Sequence, residues 1–494
     1  MWNWLARLHR PSSGKNGGRL LRPWSLRARY DAAVTTADNR RHWANADGLS
    51  ANAANSANVR CTLRNRARYE VANNSYARGI VLTLANDVVG TGPRLQMLTS
   101  DAEANRVVER EFGKWSAAVR LPEKLRTMRM ARASDGEVFA ILTSNDGSPS
   151  PVNLDLRLVE AEQVCTPDLS PHQLNAVDGI VFDPFGNPVT YHVLKEHPGS
   201  DRFVANSLAY DRYPAISVVH YFRCDRPGQA RGIPDITPAI PLFAQLRRFT
   251  LAVLAAAETA ADFAGILYTD APAGGEADAA EPFEPIELEK RALLTMPGGW
   301  KMSQMRAEQP STGYAEFKKE ILNEIARCLN MPFNVASGNS SGYNYASGRL
   351  DHQTYYKSIR VEQQHIAAVV LDRILTAWLN EAILVEGFLP PSLRILDADF
   401  SHQWMFDGHE HVDPAKEANA QATRLTNHTT TLATEYARQG RDWEAELRQR
   451  AKERQFMTEL GLTATETIPA INENDTETEE DNVENDDEKL AEAA

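Results

Sequence analysis

Apolar positions recur at helical spacing through most of the chain and at strand spacing in one internal stretch. Between Leu63 and Gly90, residues Tyr76, Ile80, Leu84 and Val88 share one face, which predicts a helix ending at Gly90-Thr-Gly-Pro93. A further helix is expected from Ala102 through Trp115. The period then changes to two. Glu137 to Thr143 and Val152 to Leu158 flank an Asn-Asp-Gly turn and read as paired strands. Ile180-Val-Phe-Asp and Val189 to Leu194 flank Pro184-Phe-Gly-Asn-Pro188 as a second hairpin, and Ser217 to Phe222 is one more strand.

Helical spacing returns after residue 235. Thr237 is a good N-cap with Pro238 at the first helical position, followed by Leu242, Leu246, Phe249, Val253, Ala257 and Ala260. Glu258 and Asp262 interrupt this run, which argues against a membrane span. A second helix is expected from Tyr314 to Asn330, with Phe317, Ile321, Ile325 and Leu329 aligned and Pro332 ending it. A loop of small residues follows, Ser337 to Gly348. A long helix from about Arg349 to Glu386 carries Tyr355, Ile359, Ile366, Val370, Ile374 and Trp378, and would extend roughly 50 Å. Beyond Pro390 and Pro391, Leu393 to Leu396 reads as a short strand. A helical block runs from Asp413-Pro414 to about Leu460, interrupted by Gly440. No internal repeat is evident.

Composition narrows the class. The 494 residues carry a formal charge of −13 with 43% hydrophobic residues, enough for a large core. The last 22 residues contribute about −10 and the first 41 about +7, which leaves the central body itself near −10. A body of that sign is a poor non-specific DNA binder, because such affinity comes from neutralising phosphates. It can still surround DNA without gripping it. Cys61, Cys165, Cys224 and Cys328 are scattered without a CxxC pair, so reduced thiols in a cytoplasm are expected. The N-terminus reads as a flexible basic arm and not a secretory signal.

Candidate chemistry is sparse. Gly14-Lys15 lacks phosphate-loop spacing, so no nucleotide site is expected and any ATP-driven step falls to another protein. Asp407-Gly-His409-Glu-His411-Val-Asp413 crowds imidazoles and carboxylates but does not match HExxH, and is expected to be a solvated loop. A rival reading is a metal-dependent DNA-acting enzyme, which would use Asp135 and Glu137 as a carboxylate pair or the cluster from His409 to Asp413. Ser340 and Ser341 lack the context of a nucleophile. His192 and His220 are expected as hydrogen-bonded sheet residues. No catalytic residue, metal or cofactor is expected.

Five segments in order carry a resemblance: Arg64-Asn-Arg-Ala-Arg68 with Asn73-Asn-Ser-Tyr-Ala-Arg-Gly79; Val88-Val-Gly-Thr-Gly-Pro-Arg-Leu95; Arg226-Pro-Gly-Gln-Ala-Arg-Gly-Ile-Pro234; Gly338-Asn-Ser-Ser-Gly-Tyr-Asn-Tyr-Ala-Ser-Gly348; and Val412-Asp-Pro-Ala-Lys-Glu417. With these, the chain from about Tyr30 to Leu462 resembles the portal proteins of tailed bacteriophages, in their lambda-like branch. The resemblance implies an α+β portal fold with a β-rich wing, helical stem, small α/β clip, long bridging helix and helical crown, assembled into a ring, usually of twelve.

On that resemblance the chain divides into a basic arm (1–41), a wing (42–234), a first stem helix (235–264) and a clip (265–311). A second stem helix (312–331), a tunnel loop (332–348), a long bridging helix with return to the wing (349–412), a crown (413–462) and an acidic disordered tail (463–494) complete it. It implies a head–tail connector at one capsid vertex, through which double-stranded DNA enters and leaves without sequence-specific binding. Its implied partners are identical subunits, the large terminase subunit, the major capsid protein and a head–tail adaptor, with no membrane. It implies a place in the virion, with assembly in the host cytoplasm. Asn339, Ser340, Ser341, Tyr343, Asn344 and Tyr345 are the implied DNA contacts. Leu246, Phe249, Val253, Ala257 and Ala260 are the implied subunit-packing residues. The third reading is a monomeric capsid-associated adaptor.

Overall fold

The computed structural model describes residues 33–166, 175–201, 209–262, 266–269, 300–303, 313–342, 344–391, 400–408 and 414–462. The basic arm up to residue 32, most of the clip, the expected strand Leu393 to Leu396 and the acidic tail lie outside the described residues.

Short helix α1 (Ala51–Ala54) is capped by the Ser50 hydroxyl. The helix expected from Leu63 to Gly90 is two helices, α2 (Ala57–Asn73) and α3 (Ser75–Val89). Asn74 between them is extended (φ −117°, ψ 116°), and its side-chain oxygen accepts from the Tyr76 and Ala77 amides. An asparagine able to cap the next helix breaks one periodic run into two. Helix α4 (Ala102–Ala118) begins at the Asp101 cap, as its pattern requires, and α5 (Leu121–Asp135) follows it. The hydrophobic pattern gives no sign of α5, because its buried side includes Arg129, Arg132 and Asp135 beside Leu121, Leu125 and Met128.

Both expected hairpins form. Strand β2 (Glu137–Ser144) is the centre of a three-stranded antiparallel sheet, between β3 (Leu154–Val159) and β8 (Val218–Phe222). Phe139 lies opposite both Val159 and His220. Strands β4 (Ala176–Val177), β5 (Ile180–Phe182), β6 (Pro188–Leu194) and β7 (Tyr210–Pro214) form a second antiparallel sheet in that order. Alternation along β2 decides how the layers stack. Val138 and Ala140 join the large core with residues of the helices, whereas Phe139 and Ile141 join a separate core with Ile180, Tyr191 and Val193 of the four-stranded sheet. From Glu137 to Ile141, strand β2 is therefore buried on both faces. Two further pairs are short: β1 (Arg94–Met97) with β11 (His402–Met405), and β9 (Ile266–Thr269) with β10 (Trp300–Ser303).

Helix α6 (Ile240–Asp262) follows a 3₁₀ turn, Thr237–Ala239. Thr237 does not cap it: its hydroxyl donates to the Pro234 carbonyl at 2.7 Å, and Ile236 stands at the cap position of the 3₁₀ turn. Helix α7 (Tyr314–Arg327) packs beside α6. The loop expected at 332–348 is narrower, because Phe333–Ser337 is helical (α8) and the long helix begins at Tyr345. That helix is α9 (Tyr345–Ile366), a π-helical turn (Ala367–Leu371) and α10 (Asp372–Ala382). All six apolar residues expected on its inner face are buried. The last block is α11 (Pro414–Thr426), α12 (Leu432–Arg438) and α13 (Trp443–Glu459), with Gly440 in the left-handed conformation between the last two.

Candidate functional site

Three features are candidates for function: helix α6, the loop before α9, and two buried ionic clusters. On α6, apolar residues at three- and four-residue spacing serve two masters. Leu246 is buried in the chain's own core. Phe249 packs within the chain, with ring centroids 5.6 Å from Tyr314 and 4.6 Å from Phe317 of α7. Leu246 is thus covered by its own chain, whereas Phe249 is half-buried against α7. Val253 is half-buried, Ala257 is exposed, and the side chain of Ala260 lies outside the described residues. Leu251 and Leu254 are each 55% exposed. The segment Thr237–Glu258 is long and apolar enough by length and composition to cross a membrane, yet only 22% of its most apolar window is buried. Helix α7 beside it turns Glu316, Glu320 and Glu324 to solvent on a single i, i+4, i+8 stripe.

The loop is set by backbone hydrogen bonds at its root. Gly338 adopts φ +65°, the Asn339 amide donates to the Asn334 carbonyl, and the Ser341 amide donates to Asn339 Oδ1 at 2.9 Å. Asn334 in turn lies 2.9 Å from His352 Nε2 on α9. Asn339, Ser340, Ser341 and Asn344 are exposed. Tyr343 and the side chain of Tyr345 lie outside the described residues. No lysine or arginine occurs between Arg327 and Arg349.

The structure gives Glu137 a different task from catalysis. It is fully buried, and both its oxygens accept from Arg231 Nε at 2.9 Å. The Gly232 amide donates to it, and His220 Nε2 lies 3.0 Å away. Arg64 and Arg60 stand at 3.7 and 4.0 Å. Burial alone would raise the pKa of Glu137, but Arg231 and His220 hold it far below the ordinary carboxylate range. Burial lowers the pKa of His220. Gly232 is required here: a Cβ would lie 2.1 Å from the Gly136 carbonyl oxygen. Asp135 is likewise engaged, by the forked guanidinium of Arg68 at 2.8 and 2.9 Å. Arg64 and Arg231, from two separate motifs of the sequence, thus converge on one carboxylate.

A second ionic cluster was not legible as a motif. Arg129 donates to Asp235 at 3.0 Å, and Arg132 holds Glu362 on α9 at 2.7 Å and the Tyr221 hydroxyl at 2.9 Å. It ties α5, the segment leading into α6, and the long helix together. Asp407 of the acid- and histidine-rich stretch accepts from the Thr91 amide at 2.6 Å and hydroxyl at 2.8 Å, while residues 409–413 lie outside the described residues. Among the described residues, Glu160, Glu162 and His197 place their ligand atoms within 4.8 Å of one another. Arg68 already supplies positive charge there, 3.0 Å from Glu160 and 2.9 Å from Glu162.

Comparison with known proteins adds the following. The family described as phage portal protein, lambda family, matches residues 37–363. The probable portal protein of Halomonas phage phiHAP-1 is 28% identical over 410 residues, covering 77% of each chain. A chain in the virion of a native gene transfer agent particle aligns with a TM-score of 0.46 and 13% identity, over 74% of this chain and 89% of its own. A chain in the neck of an empty gene transfer agent particle, computed with C6 symmetry, aligns with a TM-score of 0.45 and 14% identity, over 74% of this chain and 88% of its own.

Proposed function

The chain belongs to the lambda family of phage portal proteins, and we propose that its copies close into a ring, usually of twelve, at one vertex of the capsid. Double-stranded DNA passes through the centre on packaging and ejection. The observation that carries this reading is α6, an apolar helix left mostly uncovered by its own chain, with Leu251, Leu254 and Ala257 outward. Apolar surface of that extent on a soluble assembly is covered by a partner, and a closed heterologous ring supplies one at every position. Leu246 holds the stem to its own subunit, so the contact between subunits falls to Leu251, Leu254 and Ala257, with the half-buried Phe249 and Val253 at its margin and Ala260 continuing it.

The loop suits a conduit. Asn339, Ser340, Ser341 and Asn344 offer uncharged hydrogen bonds of modest strength, with Tyr343 and Tyr345 completing the set, and the stretch holds no cation to clamp a phosphate. Terminase and the head–tail adaptor would meet the ring at its two ends, and assembly would proceed in the host cytoplasm. The family is a structural one, and the carboxylate Glu137 serves the interior of the wing through Arg231.

Negative-stain imaging and sedimentation of the full-length chain test this. An annulus with an open centre is expected. A chain that stays a compact monomer under every assembly condition would overturn the reading in favour of a monomeric adaptor, and magnesium-dependent DNA cleavage by the purified chain would favour the enzyme.

A further inference from the structure

Two helices carry outward charge of opposite sign that their own chain leaves unanswered. On α7, Glu316, Glu320 and Glu324 are exposed, while Leu322, Ile325 and Ala326 enter the core on the other side. Members of this stripe are four residues apart, so it turns by about 40° per step and runs for about 12 Å. On α9, Arg349, Lys357 and Arg360 are exposed, while Tyr355, Ile359 and Ile366 are buried. At about 100° per residue the three cations fall within an arc of about 80° and run for about 16 Å. Among the described residues, none of these six side chains makes a hydrogen bond or an ion pair.

Neighbouring charges are accounted for. Lys318 lies over the rings of Tyr76 and Tyr314, and Lys319 over Phe333. Arg327 follows Glu324 on the same side of α7, and the stripe stays net negative. On α9, Glu362 is held by Arg132, and Asp351 falls on the side away from the cations. Each stripe has an apolar flank: Phe317 on α7, 50% exposed, and Leu350 and Val361 on α9, 65% and 64% exposed. Elsewhere the chain answers such charges within one helix, as Arg448 does Glu444 on α13 and Arg106 does Glu103 on α4. On α7 and α9 the signs are segregated instead, and like charges at i, i+4 disfavour a helix until a partner of opposite sign covers them. A heterologous ring contact brings two different faces of one chain together at every junction, which is where two complementary stripes on separate helices can meet.

We infer that α7 of one subunit lies along α9 of the next, with Glu316, Glu320 and Glu324 facing Arg349, Lys357 and Arg360. The inference rests on the ring reading above and adds a charged seam to the apolar contact of α6. The test uses two full-length variants. One carries Glu316→Lys, Glu320→Lys and Glu324→Lys, and the other Arg349→Glu, Lys357→Glu and Arg360→Glu. Alone, each sets like charges against like at every junction, so its ring fraction in sedimentation should fall about tenfold or more while circular dichroism is unchanged. Mixed in equal amounts, the two should recover rings in which they alternate. Lysines of the first then face glutamates of the second, and native pairs fill the remaining junctions; native mass spectrometry reads the equal composition. Normal rings from either variant alone, or no rings from the mixture of two folded variants, would overturn the inference. So would a cation variant that keeps its rings and loses only duplex DNA binding, which would assign Arg349, Lys357 and Arg360 to phosphate. A wild-type chain that forms no ring would strike the ring reading instead, and this inference with it.

Discussion

Glu137 Oε1 and Arg231 Nη2 meet at 2.7 Å, both side chains at or near zero exposure. Removing one charge from such a pair leaves the other buried without compensation, a loss of about 3–5 kcal/mol. Glu137→Gln should therefore lower the melting temperature by many degrees in calorimetry. The pH dependence has a definite sign. The folded pKa is depressed below the ordinary 4.5, so the contribution of Glu137 is present in full above 4.5 and fades as pH falls below it toward the folded value. The stability gap between wild type and Glu137→Gln should stay constant from pH 7 to 5 and narrow below.

Glu109 on α4 should show the opposite slope. It accepts from the Met97 amide at 2.8 Å, while burial, with Asp442 and Glu444 nearby and Arg448 opposing them, pushes its pKa up to about 7. A carboxyl raised on folding stabilises least when ionised, so stability falls as pH rises from 4.5 through 7. Since the group is partly solvated, about 1 kcal/mol is expected across that window. Chemical denaturation of Glu109→Gln between pH 5 and 8 should lack this decline.

The uncovered face of α6 predicts a separation of folding from assembly. Leu251→Ser with Leu254→Ser, or Ala257→Leu, should leave circular dichroism unchanged within the monomer and abolish the ring species in sedimentation. Normal rings from these variants would show that the face is not the one subunits share.

Adding cations to the loop should convert a slippery surface into a sticky one. Ser340→Arg with Ser341→Arg supplies two phosphate contacts per subunit, each worth about 0.9 in the slope of log affinity against log salt. Rings of this variant should bind duplex DNA with a steeper salt dependence than wild type, and particles carrying them should hold less DNA. An unchanged slope would place the loop away from the DNA path.

Elements with a single apolar face were readable from the sequence. Tyr355, Ile359, Ile366, Val370, Ile374 and Trp378 all lie where their spacing puts them. Helix α5 was hidden because its inner side carries Arg129 and Arg132, whose partners Asp235 and Glu362 lie about a hundred or more residues away. Strands β1 and β11 were hidden because four residues give no period, and each is a strand only by virtue of the other. The same distance concealed the role of Glu137: one acid beside a turn looks available for chemistry until Arg231 is seen across it. Leu246 and Phe249 fit the stem pattern, yet periodicity does not say which subunit fills the space opposite a side chain.

Pairing of Met97 with His402 and Arg94 with Met405 sets a clock on biosynthesis. At translation rates of about 5–20 residues per second, the roughly 300 residues between them take on the order of 15 to 60 seconds to emerge. Throughout that interval β1 waits on the ribosome unmatched, and over its later part α6 and then α7 have already been made. A nascent chain can thus expose the apolar face of α6 before β1 and β11 have paired, and neighbouring ribosomes on one message would hold several such chains within reach of each other.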